Sequence, residues 1–338
     1  MKNFLTKNML YILFLIVFSG QLSIGLSAKE NEIPQKVKNA LKKTLVNGPN
    51  SLGKRFMLGF PANDVDQAPK DALDIYVASD FDGEFVLQNK LTGYQKRYTL
   101  KKGGVVALAT QNGGTTWDWE TREIGKAANK GLELLSDVPV SVYVLMGKNY
   151  SSEGYLAIPV SAWDDKYIHC SFWDFKEWAE WKTEFLIIAS EDKTQIEIKL
   201  KGLPIGAETA DPNWKIGQTK TITLDKYQTY LVQGNGKTRG QFDLSGTEIT
   251  SLDKKKPIGI ISGHEKTMIP KNIVFNGRDN LLAMLAPVSR WGKEYYTVEL
   301  DRKTDKGDYF RVVASEDDTE VVITWYDKNT RDFINSIN

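Results

Sequence analysis

The sequence predicts an all-β protein made of tandem antiparallel β-sandwich-like repeats, two of them complete and one partial. Three observations support this prediction. Short runs with alternating apolar and polar positions recur along the chain, bounded by Gly, Pro, Asn or Asp. A long block of residues returns later in the chain in recognisable form. Beyond residue 46, no long stretch has the apolar spacing that is typical of a helix.

Residues 1–28 have the features of a signal peptide. Lys2 and Lys7 precede an apolar run at 9–18, and small and polar residues follow as far as Ala28. A membrane anchor is the rival interpretation, but about ten apolar residues fall short of the roughly 20 that span a bilayer. We therefore predict cleavage after Ala28, no transmembrane segment in the mature chain, and a location outside the cell, either secreted or at the cell surface.

Residues 29–50 are predicted to form a linker that contains one short basic amphipathic helix, over residues 34–46. Apolar residues share one helical face, and lysines lie beside or opposite it. The apolar residues are Ile33, Val37, Leu41 and Leu45. Two interpretations are open: the helix docks on a partner, or it packs on the first unit.

The charge balance argues against a polyanionic partner. Lys and Arg number 44 against 43 Asp and Glu, which gives a formal net charge of +1. Proteins that capture nucleic acid or anionic membranes by electrostatics carry a large basic excess. The sequence therefore predicts that nucleic acid is not a partner.

The single cysteine, Cys170, cannot form a disulfide within the chain. An exported protein of this kind must be held together by its apolar core. Cys170 lies in a strand-like run, which favours a small buried side chain over a reactive thiol.

A repeated block divides the chain into three units. Residues 158–163 (IPVSAW) return as 286–291 (APVSRW), and a hairpin pattern follows each, at 185–198 and 310–323. A fainter copy of the hairpin pattern lies at 75–87. The predicted boundaries are 51–157 for the first β-sandwich unit, 158–285 for the second, and 286–338 for the partial third.

The second unit is predicted to be a two-sheet sandwich. Seven short strand-like runs lie within it, and each needs a second sheet to cover its apolar face. The runs are near 167–172, 183–190, 194–200, 219–225, 229–233, 246–251 and 257–263. The third unit reaches Asn338 after its first hairpin, and two explanations are open: the chain is a truncated form of a longer parent, or that hairpin joins the sheets of the second unit.

A Ser-Gly-His motif, a downstream proline and a Pro-Val-x-x-Trp-Gly-Lys-x-Tyr motif occur together in the second half of the chain. In this combination the chain, from about Gly53 to Ile323, resembles the IgGFc-binding protein N-terminal domain family, in its bacterial form. The residues that carry the resemblance are Gly263, His264, Pro270, Asp279, Pro287 and Trp291. Their role is predicted to be structural.

The resemblance implies a secreted or cell-surface recognition domain. Many family members carry a cysteine two residues after the histidine and another just before the aspartate, where this chain has Lys266 and Arg278. The resemblance therefore implies that one disulfide of the family is absent here. Binding of antibody Fc is a property of animal members and is not carried over to this chain.

No catalytic motif is found, and the sequence predicts no catalytic residue, metal or cofactor. The two histidines, His169 and His264, lie in different strand-like runs without a His-Glu-x-x-His helix. The mature chain has no Gly-x-Ser-x-Gly turn and no P-loop. Two carboxylates that are distant in sequence can still form a glycosidase pair, so a secreted carbohydrate-active enzyme stays open as an alternative.

Aromatic residues supply the candidate ligand-binding positions. Tryptophans cluster with acids at 172–181, and two more lie in a loop of the first unit. The candidates are Trp173, Trp178, Trp181, Trp117 and Trp119. Exposed tryptophans stack on sugars or fill pockets of a protein partner. The alternative is that these rings close the open end of their own sandwich.

The function predicted from these features is a non-enzymatic extracellular binding or adhesion module. Its partner is predicted to be an extracellular protein or a glycan, and the chain to be part of a larger surface assembly. Besides the enzyme, the other alternative is a structural component of a surface scaffold.

Overall fold

A computed structural model describes residues 51–64, 72–109, 119–148, 151–269, 277–298, 308–326 and 333–337. Within these residues, the elements are β-strands and two short 3-10 turns. The predicted all-β class is therefore confirmed. The predicted signal peptide and the predicted helix at 34–46 lie outside the described residues.

Twenty strands form five sheets in the described part of the chain. The first segment contains β1 (Gly53–Leu58), β2 (Ala72–Ser79), β3 (Gly83–Asn89), β4 (Tyr94–Leu100), β5 (Gly104–Ala109), β6 (Ala127–Ala128), β7 (Leu132–Lys148) and β8 (Ser151–Leu156). The second segment contains β9 (Lys166–Ile168), β10 (Phe175–Lys176), β11 (Glu180–Trp181), β12 (Thr183–Ala189), β13 (Thr194–Lys199), β14 (Thr219–Leu224), β15 (Thr229–Gln233), β16 (Glu248–Ser251), β17 (Ile258–Thr267) and β18 (Asp279–Met284). The carboxyl-terminal segment contains β19 (Ile323–Tyr326) and β20 (Phe333–Ile337).

In the first segment, the long strand β7 belongs to two sets of strands. Its first part pairs with β3 and β1, and β4 lies at the outer edge of β3. Its second part pairs with β2 and β8, and β5 lies at the outer edge of β2. Pro139 lies between the two parts of β7. Proline has no backbone N–H to donate to a neighbouring strand, so it disturbs the hydrogen bonding of β7 least at this position.

The strands of the second segment are arranged in the same order as those of the first segment. One sheet runs β14-β13-β16-β9 and the other runs β18-β17-β12-β15, with the short β6 of the first segment at its edge. Strands β16 and β17 correspond to the two parts of β7, with a turn between them. Each of the seven predicted strand runs of this segment overlaps one strand, β9 or β12 to β17, but the run near 167–172 shares only residues 167 and 168 with β9. The shared order supports our proposal that the chain is divided at residues 157 and 285.

Strand β12 is buried on both faces. Phe185, Ile187 and Ala189 enter the core of the second segment. Leu186 and Ile188 point the other way and pack in the core of the first segment. A strand covered on both sides needs apolar residues at every position, which explains the continuous run in the sequence.

The carboxyl-terminal segment lacks the hairpin that the sequence predicts at 310–323. Residues 310–320 form no strand, and β19 pairs only with β20 among the described residues. The last hairpin therefore does not join the sheets of the second segment. The physical reason is a lack of neighbours: the matching strand β12 is held between β15 and β17, and no described strand flanks residues 310–314.

Candidate functional site

A two-stranded hairpin carries most of the aromatic candidates. Strands β10 and β11 pair antiparallel, with Phe175 opposite Trp181 and Lys176 opposite Glu180. We call residues 175–181 the aromatic hairpin. Isolated two-stranded hairpins are marginally stable in water, so this one depends on what its side chains pack against.

The base of the aromatic hairpin is buried. The rings of Phe175 and Trp181 stack with their centroids 5.7 Å apart, and Met268 completes a small apolar cluster with them. The indole N–H of Trp181 donates a hydrogen bond to Asp64 Oδ1 at 2.9 Å. Because Asp64 belongs to the first segment, this bond anchors the hairpin across the boundary between the two segments.

Asp64 also forms a buried ion pair. Its Oδ2 lies 2.5 Å from Lys266 Nζ, and both side chains are almost fully buried. The Lys266 ammonium lies 5.6 Å from the ring centroid of Trp181. At the position where the resemblance implies a cysteine, this chain therefore has a cation that contacts the hairpin base.

Trp178 is the exposed member of the aromatic hairpin. The residue is 65% exposed, and its ring lies at 87° to the ring of Trp181, with the centroids 5.0 Å apart. The guanidinium of Arg278 lies 4.6 Å from the Trp178 ring centroid. The ring of Trp178 is thus in contact with Arg278 and with Trp181, and the rest of its surface faces solvent.

Two arginines and one glutamate hold the hairpin tip in place. Glu177 forms ion pairs with Arg239, at 3.4 Å, and with Arg278. The Arg239 guanidinium lies 4.9 Å from the ring centroid of Phe175. Neither arginine was indicated by the sequence as a partner of the hairpin, because both lie far along the chain. The resemblance drew attention to Arg278 only as a substituted cysteine.

The loop that carries Arg239 is fastened to the hairpin by Asp174. One carboxylate oxygen of Asp174 accepts hydrogen bonds from the backbone N–H and hydroxyl of Thr238, at 2.8 and 2.6 Å. The other accepts from the backbone N–H of Phe242 at 3.0 Å. This buried carboxylate therefore fixes the position of the arginine loop beside the hairpin.

The other tryptophan candidates are less exposed. Trp173 is half-buried, and Trp119 is buried with its ring against Tyr94 at a centroid distance of 5.2 Å. Trp181 is fully buried. Trp117 lies outside the described residues. The structure thus brings Trp178 and Trp181 into contact, whereas the Trp173 ring lies near Arg311, and among the described candidates Trp178 offers the most surface to a ligand.

His264 positions the start of the hairpin. Its Nε2 donates to the carbonyl oxygen of Trp173 at 2.9 Å, and its Nδ1 accepts from the backbone N–H of Lys266 at 3.1 Å. Burial lowers the pKa of His264 to about 3, and the pKa of His169 to about 4. Both rings are therefore neutral at neutral pH. Among the described residues, no cluster of His, Cys, Asp or Glu could hold a metal ion.

The remaining motif residues make backbone contacts. A side chain at Gly263 would place its Cβ 2.7 Å from the carbonyl oxygen of Leu281. Exposed Asp279 accepts a hydrogen bond from the backbone N–H of Ser152 at 2.8 Å. Pro270 lies outside the described residues. The contacts of Gly263 and Asp279 are consistent with the structural role predicted for the motif, which stays a prediction.

Pro287 and Trp291 flank a 3-10 turn, Val288–Arg290, that copies the turn Val160–Ala162 of the second segment. The Trp291 indole N–H donates to the carbonyl oxygen of Ala286 at 3.1 Å, as Trp163 does to Ile158 at 2.9 Å. The repeated sequence therefore forms the same local structure twice.

A buried acid pair lies on the neighbouring strands. Gln233 Nε2 donates to Glu184 Oε2 at 2.5 Å and to Glu265 Oε1 at 3.0 Å, which bridges the two carboxyl groups. Burial and the charge of Glu265 raise the pKa of Glu184 well above its usual value. Burial also raises the pKa of Glu265, and Lys182 opposes this shift.

We expect Glu184→Gln to be more stable than the parent chain in mildly alkaline solution. The raised pKa means that the folded chain keeps a proton that the unfolded chain releases, so stability falls as pH rises above the usual value for Glu. The amide cannot ionise and retains an oxygen for Gln233. Urea unfolding at about pH 5 and about pH 8 measures the effect. The exposed Glu316→Gln is the control; equal pH dependence in parent and Glu184→Gln would contradict the prediction.

Comparison with known proteins places the chain in a family. The family model described as IgGFc binding protein matches residues 153–336, more than half of the 338-residue chain. This match contains the aromatic hairpin and every residue on which the resemblance was based. No curated protein and no solved structure matches the chain. Within the described residues, no helix is long and apolar enough to cross a membrane. Because the family model covers more than half of its residues, the chain belongs to the IgGFc binding protein family.

Proposed function

We propose that this chain is a non-enzymatic extracellular binding module and that the tip of the aromatic hairpin contacts its ligand. The observation that carries the proposal is the exposure of Trp178 on a hairpin whose base is buried, with Arg278 against its ring. Membership of a family of binding proteins supports the general class. The predicted signal peptide supports the location.

The physical argument is one of preorganisation. Tryptophan and arginine dominate the binding energy of many protein interfaces, and an aromatic face also stacks on a sugar ring. Side chains that are already held in place lose little entropy on binding. Trp181 and Arg278 hold Trp178 before any ligand arrives. The exposed indole of Trp178 is suited to insertion into a pocket of an extracellular protein or to stacking on a sugar ring of a glycan.

The enzyme alternative finds little support at the most obvious acid pair. Glycoside hydrolysis needs two carboxyl groups on either side of an accessible sugar bond. Glu184 and Glu265 are buried, and Gln233 occupies the position between them. A cavity of about 240 Å³ beside Trp119 has one acidic residue in its lining, Glu123, whose carboxylate is paired with Lys130 at 3.1 Å.

Binding assays with Trp178→Ala test the proposal. We expect the purified chain to bind a component of a glycan array, or immobilised mucin or immunoglobulin. Truncation of an aromatic residue at the centre of an interface weakens binding by about 2 kcal/mol or more, or roughly thirtyfold. Surface plasmon resonance with the ligand identified in this way measures the loss.

Phe81→Ala is the matched control, because Phe81 is an aromatic residue of the first segment with 53% exposure. It should bind as well as the parent chain. Circular dichroism should show that both variants are folded. The proposal fails if the parent chain binds none of these ligands, or if Trp178→Ala and Phe81→Ala bind equally well.

A further inference from the structure

The buried ion pair at the base of the aromatic hairpin brings two reactive groups into contact. Lys266 Nζ lies 2.5 Å from Asp64 Oδ2, and the two side chains are only 6% and 0% exposed. At this separation from the oxygen, the nitrogen is roughly 3–3.5 Å from the carboxyl carbon, which is the spacing of a near-attack arrangement. An amine and a carboxylic acid held in this way can condense to an amide.

The surroundings disfavour the charged form of the pair. Water is excluded from both side chains, and Phe175, Trp181 and Met268 form an apolar cluster at the hairpin base. Removal of two ions from water is costly even when they are paired. Transfer of one proton from the ammonium to the carboxylate cancels both charges. The products are a neutral amine and a carboxylic acid, the forms in which the two groups react.

Trp181 supplies a hydrogen-bond donor at the carboxyl group. Its indole N–H donates to Asp64 Oδ1 at 2.9 Å, which is the oxygen that does not contact Lys266. When an amine adds to a carboxyl carbon, negative charge develops on oxygen, and a donor that is already in place stabilises this charge. Oδ1 is therefore suited to become the amide oxygen, and Oδ2 is suited to leave.

The backbones of both reacting residues are also held in place. The Asp64 N–H donates to Asn63 Oδ1 at 2.7 Å, and its carbonyl oxygen accepts from Lys148 Nζ at 3.0 Å. The Lys266 N–H donates to His264 Nδ1 at 3.1 Å. Groups that are fixed in a reactive orientation behave as though their concentration were very high. The fold therefore supplies the orientation that free lysine and aspartate lack in water.

We propose that Lys266 and Asp64 condense to an intramolecular amide, which is a covalent cross-link between the second segment and the first. The lysine nitrogen forms a bond with Cγ of Asp64, and the bond between Cγ and Oδ2 breaks. Two of the three ammonium protons leave with Oδ2 as one molecule of water, and the third stays on the amide nitrogen. The positive and negative charges cancel, so the step needs no co-reactant.

Two other lysine–carboxylate contacts among the described residues each lack part of this arrangement. Lys148 and Glu120 are equally buried, but the closest nitrogen and oxygen are 3.5 Å apart. Lys201 and Glu248 are in close contact, but the lysine side chain is 54% exposed, so water solvates its ammonium. We therefore expect the amide at Lys266 and not at either of these two lysines.

The amide joins the two segments without an oxidant. The chain has one cysteine, so a disulfide cannot make this connection. A cross-link between residues that are distant in sequence stabilises a fold by restricting the unfolded chain. Because residues 64 and 266 lie in different segments, the amide fixes the base of the aromatic hairpin to the first segment. This cross-link goes beyond the proposed ligand binding at Trp178 and does not depend on it.

Mass spectrometry of the purified full chain tests the proposal. The denatured chain should be lighter than its sequence by the mass of one water. Trypsin does not cut after a lysine whose side chain is acylated, so the digest should contain residues 56–70 joined to residues 256–271. The separate peptides 56–70 and 256–266 should be lost from the digest. Fragmentation of the joined peptide should place the bond between Asp64 and Lys266.

Lys266→Arg and Glu248→Gln are the test variant and its matched control. Lys266→Arg keeps the positive charge but has no amine to form the amide, so it should have the full mass of its sequence. Glu248→Gln removes a carboxylate from another close lysine contact, and it should still lack one water. The masses are measured after denaturation, so they report the covalent state and not the folding of either variant.

Three results would overturn the proposal. The first is the full sequence mass in the parent chain, with free peptides 56–70 and 256–266. The second is a loss of water carried by peptide 56–70 alone, because this is closure of an aspartate onto its own backbone. The third is a loss of water that persists in Lys266→Arg. Peptides 56–70 and 256–271 joined in the parent and in Glu248→Gln, but not in Lys266→Arg, are the result that supports it.

Discussion

Asp64→Ala should lower the free energy of unfolding by about 3 to 5 kcal/mol. The substitution leaves the ammonium of Lys266 buried without its carboxylate, which lies 2.5 Å away in the parent chain. It also removes the acceptor of the Trp181 indole N–H. An unpaired buried charge is far more destabilising than the ion pair is stabilising. Urea denaturation at neutral pH, followed by tryptophan fluorescence, measures the loss.

The control is the double variant Asp64→Leu, Lys266→Met, in which neither charge is present. Replacement of a buried ion pair by apolar residues of similar volume is often neutral or stabilising. We therefore expect the double variant to be more stable than Asp64→Ala. If the two variants lose the same stability, the ion pair is not the reason for the loss.

Trp163→Ala should cost about 3 to 5 kcal/mol of stability, whereas Trp291→Ala should cost less than about 1 kcal/mol. The two tryptophans occupy the same position of the repeat and make the same local hydrogen bond. Trp163 is buried, and its ring lies where a Cβ of Gly259 would approach within 2.4 Å. Trp291 is only half-buried, and its bond lies in an exposed turn.

Thermal unfolding of the two single variants in parallel provides the measurement. Each variant is the matched control of the other, because the sequence contexts are similar and the lost hydrogen bonds are equivalent. A similar loss of stability in both variants would mean that each tryptophan stabilises the fold through its local turn and not through the burial of its ring.

The arrangement of the binding surface was only partly predictable from the sequence. The cluster of tryptophans at 172–181 was visible, because aromatic residues in a short connection stand out. Which ring is exposed was not visible, since Trp178 and Trp181 are neighbours in the sequence with opposite environments. The hairpin also contacts three residues that are distant in sequence, Asp64, Arg239 and Arg278. The fold brings them close, and the local sequence around the hairpin does not indicate such contacts.

The sequence by itself determined the all-β class, the strands of the second segment and the recurrence of block 158–163 at 286–291, which the structure shows as the same local turn twice. These features follow from the period of apolar residues and from short-range hydrogen bonds, which depend on neighbours along the chain. Tertiary structure decided which copy of a repeated residue is buried, as Phe185 and Phe310 show. Burial depends on the strands that the topology brings alongside, and similar local sequences can have different neighbours in space.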